Sequence, residues 1–184
     1  MRANVYLCGP SGAGKTTVAP LLAALHGFDA VDVDETIESH DGRRIARIVD
    51  EDGEPAFRER ERATIAALAQ RGRTVVALGG GALEDPANRR TIAASGISVF
   101  LDASIDTCVR RTEREAGTRP LLREPGALAR LHAARRPNYL NAHVRVAVDG
   151  LGPDEVARAV DDALRREHIV RVETARPYLS LIHI

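Results

Sequence analysis

The sequence predicts one α/β domain, a parallel sheet with helices on both faces. Three observations point there. Short apolar runs alternate with helical patterns five times along the chain, which is how parallel strands joined by crossover helices read. The first run breaks into glycines that lead directly into a helix pattern. The length, 184 residues, suffices for one core without disulfides.

Val5-Tyr6-Leu7-Cys8 reads as a short buried strand, ended by the glycines of 9–14. A helix follows from Lys15 to about His26, with Val18, Leu21, Leu22 and Leu25 at helical spacing, and Gly27 stops it. Ala30 to Val33 reads as a second strand, running into Asp34 and Glu35. Residues 35–51 give short helical pieces broken at Asp41-Gly42, and a longer helix runs from about Glu54 to Arg71. Thr74 to Leu78 is a third strand, followed by Gly79-Gly80-Gly81. A helix at about 86–95 leads to a fourth strand, Ile97 to Leu101, and another helix begins near Ser104. Residues 114–126, rich in charge, Gly and Pro, read as a mobile segment. A helix at about 126–141 becomes irregular near Pro137 to Tyr139. Val144 to Val148 is a fifth strand, and Pro153-Asp154 starts a last helix that ends near Arg166. Residues 169–184 fit no pattern and are expected to form a tail outside the core.

Composition narrows the function. Twenty-six basic residues balance twenty-six acidic ones, so nothing favours a nucleic-acid or anionic-membrane partner. No apolar run is long enough for a membrane span, and the N-terminus has no signal-peptide pattern. Cys8 and Cys108 lie far apart and outside any metal-binding spacing, as two reduced buried thiols would. The expectation is a cytoplasmic monomer acting on a small molecule. The basic residues are 25 arginines and one lysine, Lys15. That lone lysine sits in a glycine-rich loop.

The loop is Gly9-Pro10-Ser11-Gly12-Ala13-Gly14-Lys15-Thr16, a complete G-x-x-x-x-G-K-[ST] placed between a strand and a helix. Its backbone N–H groups cradle a phosphate, Lys15 reaches the β/γ-phosphates and Thr16 ligates Mg2+. Ligands of parallel sheets bind beyond the carboxyl ends of the strands. The second strand ends there in Asp32-Val33-Asp34-Glu35 and the third in the three glycines. If the second strand persists, Asp32 and Asp34 share one face. One could then help hold Mg2+ and the other accept a proton from an attacking hydroxyl. The plainer reading is that the segment caps the next helix. Three successive glycines are costly in entropy, which close approach of backbone to a ligand would justify. Arg58, with Glu61 on its helical face, Arg119, Arg135 and Arg136 complete the candidates.

GPSGAGKTT, DVDETIE at 32–38, GExxFRxxE at 53–61, LGGG at 78–81, RPLL at 119–122 and RxPxY at 135–139 occur in this order. Together they resemble the shikimate kinase family. The resemblance implies a three-layer α/β/α P-loop kinase fold, with a five-stranded parallel sheet of order 2-3-1-4-5. It implies transfer of the ATP γ-phosphoryl to the 3-hydroxyl of shikimate. It places ATP on Gly12, Ala13, Gly14, Lys15, Thr16, Thr17, Arg111 and Arg119, with Mg2+ on Thr16 and Asp32. It places shikimate on Asp34, Arg58, Gly79, Gly80, Gly81 and Arg135. Asp34, Lys15 and Arg119 would be catalytic. The kinase domain would span 1–168, with a lid at about 113–126 and a substrate-binding helical region at about 34–62. Val49 stands where the family often has Phe, and the loop at 149–153 has no arginine. The competing readings are another small-molecule kinase of this fold, such as a gluconate kinase, and a P-loop protein that binds nucleotide without catalysis.

Overall fold

The computed structural model describes residues 3–113 and 126–175. The chain runs β1 (Asn4–Cys8), α1 (Lys15–His26), β2 (Asp29–Asp32), α2 (Val33–Asp41), α3 (Ile45–Asp52), α4 (Glu54–Ala69) and β3 (Thr74–Ala77). A 3₁₀ turn (Ala82–Glu84), α5 (Pro86–Ser95), β4 (Gly96–Asp102), α6 (Ile105–Glu113), α7 (Ala127–Tyr139), β5 (Val144–Ala147) and α8 (Pro153–Ala175) follow. The strands form one sheet of order β2-β3-β1-β4-β5, and every neighbouring pair is parallel. This is the expected sheet.

β1 has a partner on each side, and all five of its residues are buried. Its side chains alternate between two cores, as strand geometry requires. Val5 and Leu7 pack with Val18, Leu22, Val99 and Val160 on one face. Tyr6 and Cys8 pack with Ile37, Ile65, Phe100 and Tyr139 on the other. Both thiols are buried and unpaired. Burial pushes Cys8 up to about 12 and Cys108 up to about 11, so both stay protonated.

Three elements depart from the sequence reading. β2 stops at Asp32, because its carboxylate accepts hydrogen bonds from the Asp34 and Glu35 N–H groups and caps α2. Leu25 keeps the helical spacing of α1 yet is 51% exposed, past the last buried residues of that helix, Leu22 and Ala23. α8 continues to Ala175 rather than ending near Arg166.

The helical excursion between β2 and β3 is tied by charge. Arg43 donates to Asp41 (2.6 Å), Glu51 (2.8 Å) and Asp52 (2.8 Å). Arg60 donates to Asp41 (3.0 Å) and Asp52 (2.7 Å), joining α2, α3 and α4. The Arg43 hydrogen bonds hold Asp41 and Asp52 below the usual carboxylate range. Glu51 is held down by Arg47 first and then by Arg43. Carboxyls lowered on folding stabilise the protein above their unfolded pKa, and that stability is lost as pH falls through the folded value. The melting temperature of the wild type should therefore fall as pH drops below about 4. Arg43→Met should lose less melting temperature over the same interval. Equal acid losses in the two proteins would show that the network contributes nothing.

Candidate active site

The site is built where β1, β2 and β3 end side by side. Leu7 and Asp32 both stand opposite Ala77. Two residues past that row, the chains reach Gly9, Asp34 and Gly79. The phosphate loop, Asp34 and the triple glycine are thus each reached two residues past one row.

In the loop, Gly12 has φ +82°, and a Cβ there would lie 2.7 Å from the Cys108 carbonyl oxygen. Only glycine fits both limits. Lys15 folds over the loop and its Nζ donates to the carbonyls of Gly9 (2.8 Å) and Pro10 (2.9 Å). Arg111 Nη1 donates from outside to the carbonyls of Gly12 (3.3 Å) and Ala13 (3.4 Å). Ala13 is buried under the loop, Gly14 is the cap of α1, and Thr16 and Thr17 are exposed on its first turn.

The Thr16 hydroxyl donates to Asp32 Oδ2 at 2.7 Å. Asp32 Oδ1 accepts from the Asp34 N–H at 2.9 Å. Asp32 is thus both helix cap and partner of the loop threonine. Asp34 lies in the first turn of α2, not on the strand, so the two carboxylates do not share a strand face. The cap redirects the chain, and Asp34 lines the cavity from the helix instead.

None of Gly79, Gly80 and Gly81 has the positive φ that demands glycine; two of them instead leave room for side chains of the site. A Cβ at Gly79 would lie 2.8 Å from both Asp34 Oδ1 and Glu61 Oε1. A Cβ at Gly81 would lie 2.7 Å from the Arg58 guanidinium. The groups that crowd this loop are therefore the site's own side chains. Gly80 has room: its nearest atoms are Arg135 Nη1 at 3.6 Å and Ser11 Oγ at 3.7 Å.

Arg58 lies with its guanidinium 5.0 Å from the Phe57 ring centroid. It donates to Glu61 Oε2 (2.9 Å) and Glu54 Oε1 (3.0 Å). Glu61 is 1% exposed. Burial pushes its carboxyl up, against the pull of Arg58. Arg135, 14% exposed, comes from α7 and has Glu84 as a distant ionic partner at 3.9 Å. Its neighbour Arg136 points elsewhere. It grips Asp102 with two bonds of 2.6 and 3.1 Å, and Arg145 holds the same carboxylate.

These residues enclose a cavity of 310 Å³. Ser11, Thr16, Asp32, Asp34, Arg58, Gly80, Gly81 and Arg135 all line it, and Gly80 borders both Ser11 and Arg135. Ile45, Ala46, Phe57, Leu128 and Leu131 form an apolar wall, with His132 beside them. Of these, only Phe57 fell within a sequence motif. Val49 packs on the core and is absent from that wall. Glu38 shapes the wall, accepting from the Ile45 N–H at 2.9 Å and from Arg44 at 2.6 Å. Arg119 and most of the expected lid lie outside the described residues. A loop for phosphates, an acidic group and two guanidiniums around one small cavity suit phosphoryl transfer to a small acidic alcohol.

The family model described as shikimate kinase matches residues 11–165. The shikimate kinase of Hahella chejuensis is 39% identical over 174 residues, covering 92% of this chain and 90% of that protein. That of Halorhodospira halophila is 41% identical over 166 residues, covering 88% and 93%. A solved shikimate kinase from Acinetobacter baumannii, in complex with shikimate, matches with a TM-score of 0.86 at 34% identity. That match covers 90% of this chain and 94% of that one.

The three glycines should differ in tolerance. Gly80→Ala should fold with a melting temperature within a few degrees of the wild type, since its backbone and neighbours accept a methyl group. The methyl takes cavity space beside Arg135, so the acceptor KM should rise roughly 10-fold or more. Unchanged acceptor KM would place the acceptor away from this loop.

Proposed function

We infer that this chain, which belongs to the shikimate kinase family, transfers the γ-phosphoryl group of ATP to the 3-hydroxyl of shikimate. The observation that carries the reading is the pair Arg58 and Arg135 beside Gly80-Gly81, lining one cavity together with Asp34 and the phosphate loop. Two guanidiniums suit a small carboxylate, because Arg binds it through paired hydrogen bonds. The Acinetobacter relative, solved with shikimate, supports the choice of acceptor.

The residues divide the work by position. Lys15 and the N–H groups of Gly12 to Thr17 take the ATP phosphates, and Lys15 exchanges loop carbonyls for phosphate oxygens. Thr16 and Asp32 are hard oxygen donors already in contact, a set that fits Mg2+. When bound, Mg2+ neutralises phosphate charge. Arg58 and Arg135 hold the shikimate carboxylate, and Glu61 keeps Arg58 in place. Asp34 then accepts the proton of the 3-hydroxyl as its oxygen bonds to the γ-phosphorus and the bond to ADP breaks. Arg119 is assigned the role of closing on ATP, and Arg111 that of bordering the adenine. Among the described residues no helix is long and apolar enough to cross a membrane. We place the enzyme in the cytoplasm as a monomer, with 1–168 as its kinase domain.

ADP release from MgATP should depend strongly on shikimate and be slight without it. Nucleotide binding with no shikimate-dependent turnover would overturn the reading. Two variants separate the roles. Asp34→Asn should keep ATP binding and lower kcat at least ~10²-fold. Arg135→Ala should weaken shikimate binding by about 2–5 kcal/mol, as truncating one member of a buried charge pair does. Near-normal turnover in the first, or unchanged shikimate KM in the second, would remove that residue from its role.

A further inference from the structure

We propose that Tyr139 is a positioning residue: its hydroxyl holds the Gly80–Gly81 peptide so that the Gly81 N–H meets the acceptor carboxylate between Arg58 and Arg135. The inference rests on the reading of the cavity as the shikimate site.

Tyr139 closes α7 and is 2% exposed. Its hydroxyl donates to the Gly80 carbonyl at 2.5 Å. The ring stacks on Phe100 of β4, with centroids 5.3 Å apart and planes at 29°. Phe100 is itself fully buried, and the Arg136 guanidinium lies 5.7 Å from its centroid, locked to Asp102. The hydroxyl is therefore aimed from the rigid sheet and cannot swing away without breaking the stack. Burial pushes the phenol up, so the group stays a donor at working pH.

The bonds of the glycine loop are one-sided. The Gly79 carbonyl accepts from the Ala82 N–H, the Gly80 carbonyl from Tyr139 and the Gly81 carbonyl from the Glu84 N–H. All three acceptors are thus used within the protein. No protein acceptor is found among the described residues for the N–H groups of Gly80 and Gly81, and both residues line the cavity. Across a trans peptide the carbonyl and the next N–H point in opposite directions. Holding the Gly80 carbonyl toward Tyr139 therefore turns the Gly81 N–H away from it. Arg58 presses against Gly81 and Arg135 borders Gly80, so an oxyanion bound by both guanidiniums lies over this peptide.

The test is Tyr139→Phe, which keeps the ring stack and removes only the hydroxyl. Shikimate binding, measured by calorimetry, should weaken about 5- to 20-fold, the scale of one aligned hydrogen bond. The KM for ATP should stay within two-fold, and kcat should fall less than the shikimate KM rises. An analogue carrying a hydroxymethyl group in place of the carboxylate should bind variant and wild type within two-fold of each other. In the wild type, the Gly81 amide resonance should shift on titration with shikimate and not with that analogue. Equal losses for the two ligands, a parallel loss of ATP affinity, or a Gly81 resonance that ignores shikimate would each overturn the positioning role. A wild type that fails to bind or turn over shikimate would instead overturn the functional reading.

Discussion

The site depends on the register of three parallel strands. Leu7, Ala77 and Asp32 form one row across β1, β3 and β2. A parallel ladder repeats every ~3.3 Å, so a slip of one residue would carry the triple glycine past the phosphate loop by that amount. It would also turn side chains meant for one core toward the other. The two cores resist this, because alternate residues of β1 are buried against different helices. Packing far from the cavity thus sets the level from which the three chains leave the sheet toward Gly9, Asp34 and Gly79.

Given that level, the chemistry follows from crowding. Gly79 has no side chain, and that space admits the carboxylates of Asp34 and Glu61 against the end of β3. Gly81 makes the same room for Arg58. A buried Glu61 is costly alone, but its bond to Arg58 offsets part of that cost and orients the guanidinium. The cavity is therefore lined, before any ligand arrives, by oxygen donors and by two guanidiniums held in place. Such preorganisation is what a transfer with little covalent chemistry needs from its protein.

Much of this was legible in the sequence, for physical reasons. A glycine-rich loop between a strand and a helix has few meanings, and alternating apolar runs specify a parallel sheet. Asp34 was harder. DVDE continues a strand pattern, and only the capping bonds of Asp32 show that the helix begins one residue later. Arg135 and Arg136 are chemically identical neighbours, and helix phase sends one to the cavity and the other to Asp102. Apolar wall residues such as Ile45, Leu128 and Leu131 carry no chemical signal and are indistinguishable from core until the helices are placed. The extension of α8 to Ala175 lies where the apolar periodicity is weak.

The most direct measurement is a crystal structure of the complex with shikimate and MgADP. The shikimate carboxylate should lie between Arg58 and Arg135, over the Gly80–Gly81 peptide, and the 3-hydroxyl should sit on Asp34, facing the phosphate loop. A carboxylate bound outside that pair, or a 3-hydroxyl turned away from Asp34, would contradict the assigned roles.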